Sequence, residues 1–401
     1  MELTLLGTGA PSGLPRPDCP CAVCAAARGT QARAATALLV DGALLLDLTP
    51  GAALAAARSG HSLVGVRQVL LTHPHDGPAM ELPAGLPTAG RVPDGQELTL
   101  ISGHRVRAVA MDAPGTGYEV TSPDGERLLY MPPGAAPAGL AEGPTPPYEM
   151  VVGDVVGRPD GLARLRAVGA VGPTTDVIAV HIDHDVPPGA ELERRLAAAG
   201  ARTVPDGTTV YVGEYRDVPD VPRRTLVTGG ARSGKSLEAE RRLEAYPDVL
   251  YVATSGTRAD DPDWKARVAA HRDRRPGSWR TVETCDLVPL LAEETGPALL
   301  IDCLALWLTD AMDRAGAWDD ELWETSGREA VHRRTAELVA ALRATHRTVV
   351  AVTNEVGSGI VPATASGRRF RDELGRLNAA FASECEHLLL VVAGQALPLR
   401  G

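Results

Sequence analysis

The sequence has almost no lysine and few aromatic residues. Of its 40 basic residues only two are lysines, Lys235 and Lys265, and the other 38 are arginines. A compact ammonium group and a broad, planar guanidinium bind anions differently. A lysine in a chain that otherwise uses arginine therefore indicates a site where arginine could not replace it. Aromatic residues make up only 3% of the chain. The hydrophobic cores must therefore be built from leucine, valine, alanine and isoleucine.

Long apolar runs, a basic leader and a disulfide pattern are also missing. No stretch of about 18 uncharged apolar residues occurs, so we predict no membrane span. The first four residues lack the basic region of a signal peptide. The net charge of −11 argues against broad binding to nucleic acid. Three of the six cysteines lie close together in the sequence and three are scattered. This pattern is typical of a protein in the reducing cytoplasm.

A phosphate-binding loop follows a short apolar strand near the middle of the chain. Residues 229–236 match the pattern G-x-x-x-x-G-K-[ST]. Glycines let the backbone approach a phosphate, and the helix that follows directs its N-terminus at the anion. Lys235 is expected to reach the β- and γ-phosphates, and Ser236 to bind Mg²⁺. The predicted nucleotide-binding residues of the loop are Gly229, Gly230, Ala231, Arg232, Ser233, Gly234, Lys235 and Ser236.

Strands and helices alternate after this loop, which predicts a three-layer α/β/α domain with a mostly parallel sheet. A strand at residues 298–302 ends in Asp302, where phosphate-loop enzymes place a carboxylate that supports Mg²⁺. The alternative is that Asp302 caps the following helix. A predicted helix ending near Arg275 carries His271 beside an arginine cluster. This cluster favours an anion-facing surface, with Arg275 at the nucleotide, over a packed histidine.

The first half of the chain carries two groups of potential metal ligands. Cys19, Cys21 and Cys24 lie within six residues and resemble one wall of a tetrahedral zinc site. Small buried hydrophobic side chains are the alternative. His73 and His75 follow a predicted strand and could share a metal ion.

A charged stretch punctuated by prolines separates the two halves. It covers residues 214–223 and has the composition of a short, stiff linker. We therefore predict one domain at residues 1–213 and a second at residues 224–401. Two domains also suit the length of 401 residues.

The first half resembles the metallo-β-lactamase fold, and more closely its phosphodiesterase branch from phosphonate degradation. The resemblance rests on Leu-Leu-Gly-Thr-Gly at residues 5–9, Leu-Leu-Asp at 45–47, Thr-His-x-His at 72–75 and the cysteine cluster. It implies an αββα sandwich. It also implies a structural Zn²⁺ held by the three cysteines and His184.

Departures from that family's pattern argue against hydrolase activity. Gly77 and Pro78 stand where the family has an aspartate and a metal-binding histidine, and prolines stand near the position of its bridging aspartate. Since glycine and proline offer no side-chain ligand, a two-metal site is not expected. We predict a degenerate site, and the alternative is one weakly bound metal on His73, His75 and His181.

The second half, residues 224–401, resembles the bifunctional adenosylcobinamide kinase / adenosylcobinamide-phosphate guanylyltransferase family of cobalamin biosynthesis. Besides the loop, the resemblance rests on His-Arg-x-Arg-Arg-Pro at residues 271–276, Asn-Glu-Val-Gly at 354–357 and Phe-Arg-Asp at 370–372. It implies phosphorylation of adenosylcobinamide by ATP or GTP. Transfer of GMP from GTP to adenosylcobinamide phosphate then follows, through a guanylyl group on His271. These small molecules are the expected partners, and we expect a homo-oligomer.

Three other functions stay open at this point. The second half could be a small-molecule kinase without nucleotidyl transfer. The first half could be a metallo-phosphodiesterase that a nucleotide-binding domain regulates. The first half could also be a scaffold that binds another enzyme of the pathway.

Overall fold

A computed structural model describes residues 1–75, 82–138, 146–214, 223–254 and 275–401. The chain divides into two compact units. The N-terminal unit comprises Met1–Val221 with Ala245–Pro247, and the C-terminal unit comprises Pro222–Glu244 with Asp248–Gly401. Most of the predicted linker lies outside the described ranges, so the boundaries at residues 213 and 224 stay a prediction. Among the helices within these ranges, none is both long and apolar enough to cross a membrane.

The N-terminal unit is built on two β-sheets. Its strands are β1 (Glu2–Gly7), β2 (Ala37–Val40), β3 (Leu44–Leu46), β4 (Gln68–Leu70), β5 (Ala89–Gly90), β6 (Glu97–Thr99), β7 (Arg105–Ala110), β8 (Thr116–Thr121), β9 (Arg127–Tyr130), β10 (Met150–Gly153), β11 (Asp176–Ala179) and β12 (Thr208–Tyr211). One sheet has the order β12-β1-β2-β3-β4-β5, and the other has the order β11-β10-β9-β8-β7-β6. The β2–β3 hairpin turns at Asp41 and Gly42, whose φ angles of 45° and 62° suit the tight turn that an Asp-Gly pair predicts.

Helices cover the outer faces of both sheets. They are α1 (Ala22–Ala26), α2 (Ala52–Arg58), α3 (Pro159–Ala167) and α4 (Ala190–Ala198), with 3₁₀ turns at Gly29–Gln31 and Leu63–Gly65. Leu38 belongs to the core between the sheets, while its neighbour Leu39 packs in a second core with Ala56 of α2. Neighbouring strand residues point to opposite faces, so an uninterrupted apolar strand fits a sheet covered on both sides. A third core joins α3 and α4 to the other sheet. These layers confirm the predicted αββα sandwich.

The C-terminal unit has one sheet with interleaved helices. Its strands are β13 (Arg224–Gly229), β14 (Val249–Ala253), β15 (Arg280–Glu283), β16 (Ala298–Asp302), β17 (Val349–Asn354), β18 (His387–Val392) and β19 (Gln395–Arg400). Its described helices are α5 (Lys235–Arg241), α6 (Leu287–Ala292), α7 (Leu304–Arg314), α8 (Asp320–Leu322), α9 (Arg328–Ala344) and α10 (Ala365–Ser383), and a π-helical turn at Trp323–Gly327 joins α8 to α9. The sheet order is β15-β14-β16-β17-β13-β18-β19, and only the β18–β19 pair is antiparallel. This architecture agrees with the predicted α/β/α domain.

Two helix boundaries differ from the sequence prediction. The sequence from Phe370 onward predicts the start of a helix, but α10 begins five residues earlier, because the side chain of Thr364 accepts a hydrogen bond from the backbone N–H of Gly367 and caps its N-terminus. The sequence after the phosphate loop predicts a helix over residues 236–245, but α5 ends at Arg241.

Candidate functional site

The phosphate loop lies at the carboxyl edge of the parallel sheet, between the end of β13 and the start of α5. Gly229 ends the strand, and Gly234, with φ of 99°, immediately precedes the helix. A Cβ atom at position 229 would lie 2.5 Å from the carbonyl oxygen of Val391 and 2.6 Å from Ser233 Oγ. Gly230, in contrast, has no atom within 4 Å of the corresponding position among the described residues. The loop is therefore closely packed on the protein side and leaves space beside Gly230.

One hydrogen bond holds the loop against the turn between β18 and β19, and a second lies within the loop. The N–H of Gly394 donates to the carbonyl oxygen of Ser233 at 2.8 Å, and Lys235 Nζ donates to the carbonyl oxygen of Gly230 at 3.2 Å. Two buried hydroxyls, Ser233 Oγ and Thr228 Oγ1, have no hydrogen-bond partner within the described parts of the chain. Unmet hydrogen-bonding capacity of this kind needs an explanation, and a polar ligand is one.

Asp302 ends β16 at the same edge of the sheet. In the parallel register it pairs with Val352 of β17, which in turn pairs with Val227 of β13. One strand thus separates the carboxylate from the phosphate-loop strand. The residue that caps α7 is Cys303, with no side-chain cap bond, so the alternative that Asp302 caps this helix is wrong. Its Oδ2 atom instead accepts a hydrogen bond of 2.8 Å from the Tyr251 hydroxyl.

Arg275 packs beside this tyrosine. Its guanidinium carbon lies 3.2 Å from the centroid of the Tyr251 ring, and its Nε atom lies 3.8 Å from Glu240 Oε1 on α5. The Arg275 side chain is only 7% exposed. The predicted contact between Arg275 and the nucleotide stays a prediction, since the guanidinium here lies against protein groups.

The predicted nucleophile His271 lies within residues 255–274, outside the described residues. The structure does describe the edge of the sheet next to the phosphate loop. Asn354 ends β17 in register with Gly229. Asn378 of α10 donates to the Asn354 carbonyl oxygen at 3.0 Å and accepts from the Thr353 hydroxyl at 2.7 Å. Asn378 thus holds the end of β17 in place.

Sequence reasoning missed Tyr251. Its backbone pairs with Leu300, two residues before Asp302, so both side chains lie on the same face of the sheet. Burial, and next the charge of Asp302, raise the pKa of Tyr251, which keeps its hydroxyl protonated as a donor. The signal was present as a tyrosine in a buried strand, but the sequence does not give the register between β14 and β16.

In the N-terminal unit, the three clustered cysteines meet His184. The Sγ atoms of Cys19, Cys21 and Cys24 lie 3.2, 3.7 and 3.6 Å from His184 Nδ1. All four potential ligand atoms lie within 4.8 Å of one another. A tetrahedral Zn²⁺ with ordinary Zn–S and Zn–N bonds would separate sulfur from nitrogen by about 3.5 Å. The donor set therefore fits Zn²⁺ in both chemistry and size.

Local structure prepares these ligands. Cys21 precedes α1, and its Sγ accepts a hydrogen bond from the N–H of Cys24 at 3.4 Å. This bond lowers the pKa of Cys21 to about 7, which favours the thiolate that metals bind. On the histidine side, Asp183 Oδ1 accepts from the His184 N–H at 2.7 Å and from Arg16 Nε at 2.9 Å.

The buried carboxylate of Asp47 organises a second cluster. Its Oδ1 accepts from the Thr72 N–H at 2.7 Å and lies 3.0 Å from His75 Nε2, and its Oδ2 accepts from the hydroxyls of Thr72 and Tyr130 at 2.6 and 2.7 Å. Burial alone would raise the pKa of Asp47, but the hydrogen bond from His75 and the charge of His73 lower it. Protein donors thus occupy both oxygens of this carboxylate.

Three histidines surround this carboxylate with one unused nitrogen each. His73 Nε2, His75 Nδ1 and His181 Nδ1 are buried and have no hydrogen-bond partner among the residues described. Burial lowers the pKa of His181 to about 4, so its ring is neutral at pH 7. Potential ligand atoms of Asp47, His73 and His75 lie within 4.8 Å of one another. Gly77 and Pro78 lie outside the described ranges. The degenerate two-metal site stays a prediction, and the single-metal alternative stays open.

Comparison with known proteins identifies the C-terminal unit. A family model described as cobinamide kinase / cobinamide phosphate guanyltransferase matches residues 225–399. The bifunctional adenosylcobalamin biosynthesis protein CobU of Salmonella typhimurium is 39% identical over 180 residues, which are 44% of this chain and 98% of that protein. CobP of Pseudomonas aeruginosa, which carries the same description, is 41% identical over 182 residues, again 44% of this chain and 98% of that protein. The chain belongs to this family. The sequence-based assignment of the second half is thereby confirmed.

Solved structures similar to this chain cover its other half. Zn²⁺-bound PqqB from Methylobacterium extorquens has 17% sequence identity and a TM-score of 0.37, covering 53% of this chain and 100% of its own. A diphosphatase from the PhnP family has 19% identity and a TM-score of 0.36, covering 52% of this chain and 96% of its own. The assignment of the αββα fold rests on the observed sheets and helices.

The cysteine–histidine cluster predicts the metal content of the protein. Purified protein should contain about one Zn²⁺ per chain, because three thiolates and an imidazole complete a tetrahedral site. Cys21→Ser should lose this zinc, as measured by inductively coupled plasma mass spectrometry. The matched control is Cys285→Ser, which changes a cysteine of the C-terminal unit and should keep it. Wild-type protein without zinc would contradict the site. A second metal that survives Cys21→Ser and disappears in His73→Ala would assign a metal to the histidine cluster.

Proposed function

We propose that the C-terminal unit phosphorylates adenosylcobinamide with a nucleoside triphosphate and then transfers GMP from GTP to the product, giving adenosylcobinamide-GDP. The observation that carries this proposal is the match to relatives described as bifunctional adenosylcobalamin biosynthesis proteins over 98% of their length. The packed phosphate loop at the carboxyl edge of the sheet supports it, since ligands of such sheets bind at this edge.

The first reaction uses the phosphate loop. The terminal hydroxyl of the substrate attacks the γ-phosphorus of the triphosphate and releases its proton to solvent, the bond from that phosphorus to the bridging oxygen breaks, and a nucleoside diphosphate leaves. Lys235 and the loop N–H groups bind the phosphates and stabilise the charge on the transferring group. Ser236 and Asp302 are the residues that would hold Mg²⁺, which neutralises charge on the phosphate oxygens when it is bound.

The second reaction uses a histidine. An imidazole nitrogen of His271 attacks the α-phosphorus of GTP, a P–N bond forms, and pyrophosphate leaves. A phosphate oxygen of adenosylcobinamide phosphate then attacks the same phosphorus and breaks the P–N bond, so that GMP is transferred and the imidazole is regenerated. The covalent intermediate replaces one difficult displacement by two easier ones. The family's imidazole position and its arginine-rich surroundings in the sequence support this role.

For the N-terminal unit we propose a structural Zn²⁺ and no phosphodiesterase activity. The sulfur-to-nitrogen distances at His184 support the zinc. The saturated carboxylate of Asp47 supports the absence of hydrolysis, because a two-metal hydrolase needs such groups to bind metal and activate a bridging water. One observation supports the alternative of a metallo-phosphodiesterase: His73, His75 and His181 each have a buried ring nitrogen with no hydrogen-bond partner among the described residues.

The guanylyl-histidine can be tested with labelled nucleotide. Protein incubated with α-labelled GTP should retain acid-labile label after denaturation, and γ-labelled GTP should leave no label on the protein, because only the α-phosphate stays on the enzyme. His271→Ala should lose the label and keep the kinase reaction. His346→Ala, which alters an exposed histidine of the same unit, serves as the control. A wild-type protein that phosphorylates adenosylcobinamide but takes up no label would instead be a kinase without nucleotidyl transfer.

The N-terminal unit can be tested separately for hydrolysis. Protein preincubated with Mn²⁺ should hydrolyse bis-aryl phosphates no faster than buffer with Mn²⁺, measured by release of the coloured phenol. Gly77 and Pro78 offer no side-chain ligand, and protein donors already occupy Asp47, so too few ligands are left for two metals. Turnover in the wild type that is lost in His73→Ala would contradict this proposal. Hydrolysis that persists in His73→Ala would point to a contaminant.

A further inference from the structure

Tyr251 joins three elements of the C-terminal unit that the proposed reactions need. Its hydroxyl contacts Asp302 at the end of β16, and its ring face contacts Arg275. The Arg275 guanidinium in turn lies close to Glu240 of α5, the helix that begins at the phosphate loop. Arg275 follows His271 by four residues in the sequence. A single buried side chain therefore lies at the junction of the loop helix, the magnesium-supporting carboxylate and the chain that leads from the predicted nucleophile.

The hydrogen bond from Tyr251 restricts the rotation of the Asp302 carboxylate, which lies at the end of a strand. A carboxylate at such a place can rotate, and each rotation changes which oxygen faces a bound ion. The 2.8 Å hydrogen bond from Tyr251 engages Oδ2. Bonds to a charged acceptor are among the stronger hydrogen bonds in proteins. The other oxygen keeps its capacity for a metal ion or a metal-bound water.

The contact with Arg275 fixes the tyrosine in turn. The guanidinium lies over the ring face at 3.2 Å, a geometry in which a cation and an aromatic face attract each other. The Glu240 carboxylate lies within ion-pair distance of the same guanidinium, and the side chains of Arg275 and Glu240 are both more than nine-tenths buried. Thr281 Oγ1 lies 3.4 Å from Arg275 Nη1 at the edge of this arrangement. The ring can therefore move little without disturbing a buried ion pair.

We propose that Tyr251 is a positioning residue that orients the Asp302 carboxylate for the magnesium–nucleotide complex, and that Arg275 holds the ring in place. The inference rests on the proposed function, because it takes Asp302 as a magnesium-supporting residue. The proposal assigns a role to Tyr251 and a structural role, next to the site, to Arg275. Neither side chain needs to touch the substrate for this role.

The test is Tyr251→Phe, which removes the hydroxyl and keeps the ring beneath Arg275. Affinity for a fluorescent GTP analogue is measured in EDTA and over a Mg²⁺ titration. In EDTA the affinity should stay within about twofold of the wild type, since the loop contacts are intact. The Mg²⁺ concentration that gives half of the metal-dependent gain in affinity should rise about tenfold, as expected for loss of a hydrogen bond to a charged group.

The control is Thr281→Val, which removes a hydroxyl near the same guanidinium but not at Asp302, and should leave the Mg²⁺ titration unchanged. A purely structural role of Tyr251 would weaken binding equally with and without Mg²⁺ and lower the midpoint of thermal unfolding. That result, or an unchanged Mg²⁺ titration, would overturn this inference alone. A wild-type protein that binds no nucleotide under either condition would overturn the proposed function instead.

Discussion

The C-terminal unit depends on the close contact between the phosphate loop and the turn after β18. At Gly229 the backbone lies so near Val391 and Ser233 that no side chain fits, and the Gly394 N–H donates a hydrogen bond to the loop. A loop that binds an anion through its backbone N–H groups must keep its conformation when no anion is bound. The parallel strands on either side of β13 supply that rigidity, because both pair with it along almost its whole length.

The near-absence of lysine shows how the two basic side chains are used differently. Arg275 offers a flat surface to the ring of Tyr251 and an ion-pair contact to Glu240. An ammonium group could not stack in this way. The Lys235 ammonium group is a compact charge, and it donates a hydrogen bond to the carbonyl oxygen of Gly230. The chain thus uses arginine for a planar contact in the interior and lysine where phosphate oxygens are expected to converge.

Much of this arrangement could be predicted from the sequence, and the remainder depends on register and on distance along the chain. The loop, the strand that ends in Asp302 and the cysteine cluster are local patterns, so their chemistry is visible in a few consecutive residues. The approach of His184 to the cysteines came only from a family resemblance, because 160 residues separate it from Cys24. The role of Tyr251 was not visible, since it follows from which residue of β14 pairs with which residue of β16. The start of α10 was missed because the capping Thr364 lies outside the apolar pattern of that helix.

The central claim is that a nucleoside triphosphate binds in the loop of residues 229–236 through a lysine that arginine cannot replace. Isothermal titration calorimetry of GTP with wild-type protein, Lys235→Ala and Lys235→Arg tests it most directly. Both variants should bind GTP about 10- to 100-fold more weakly than the wild type, since each loses charged hydrogen bonds to the phosphates that the compact ammonium makes. Wild-type affinity in Lys235→Arg would contradict the argument from lysine, and wild-type affinity in both variants would contradict binding at the loop.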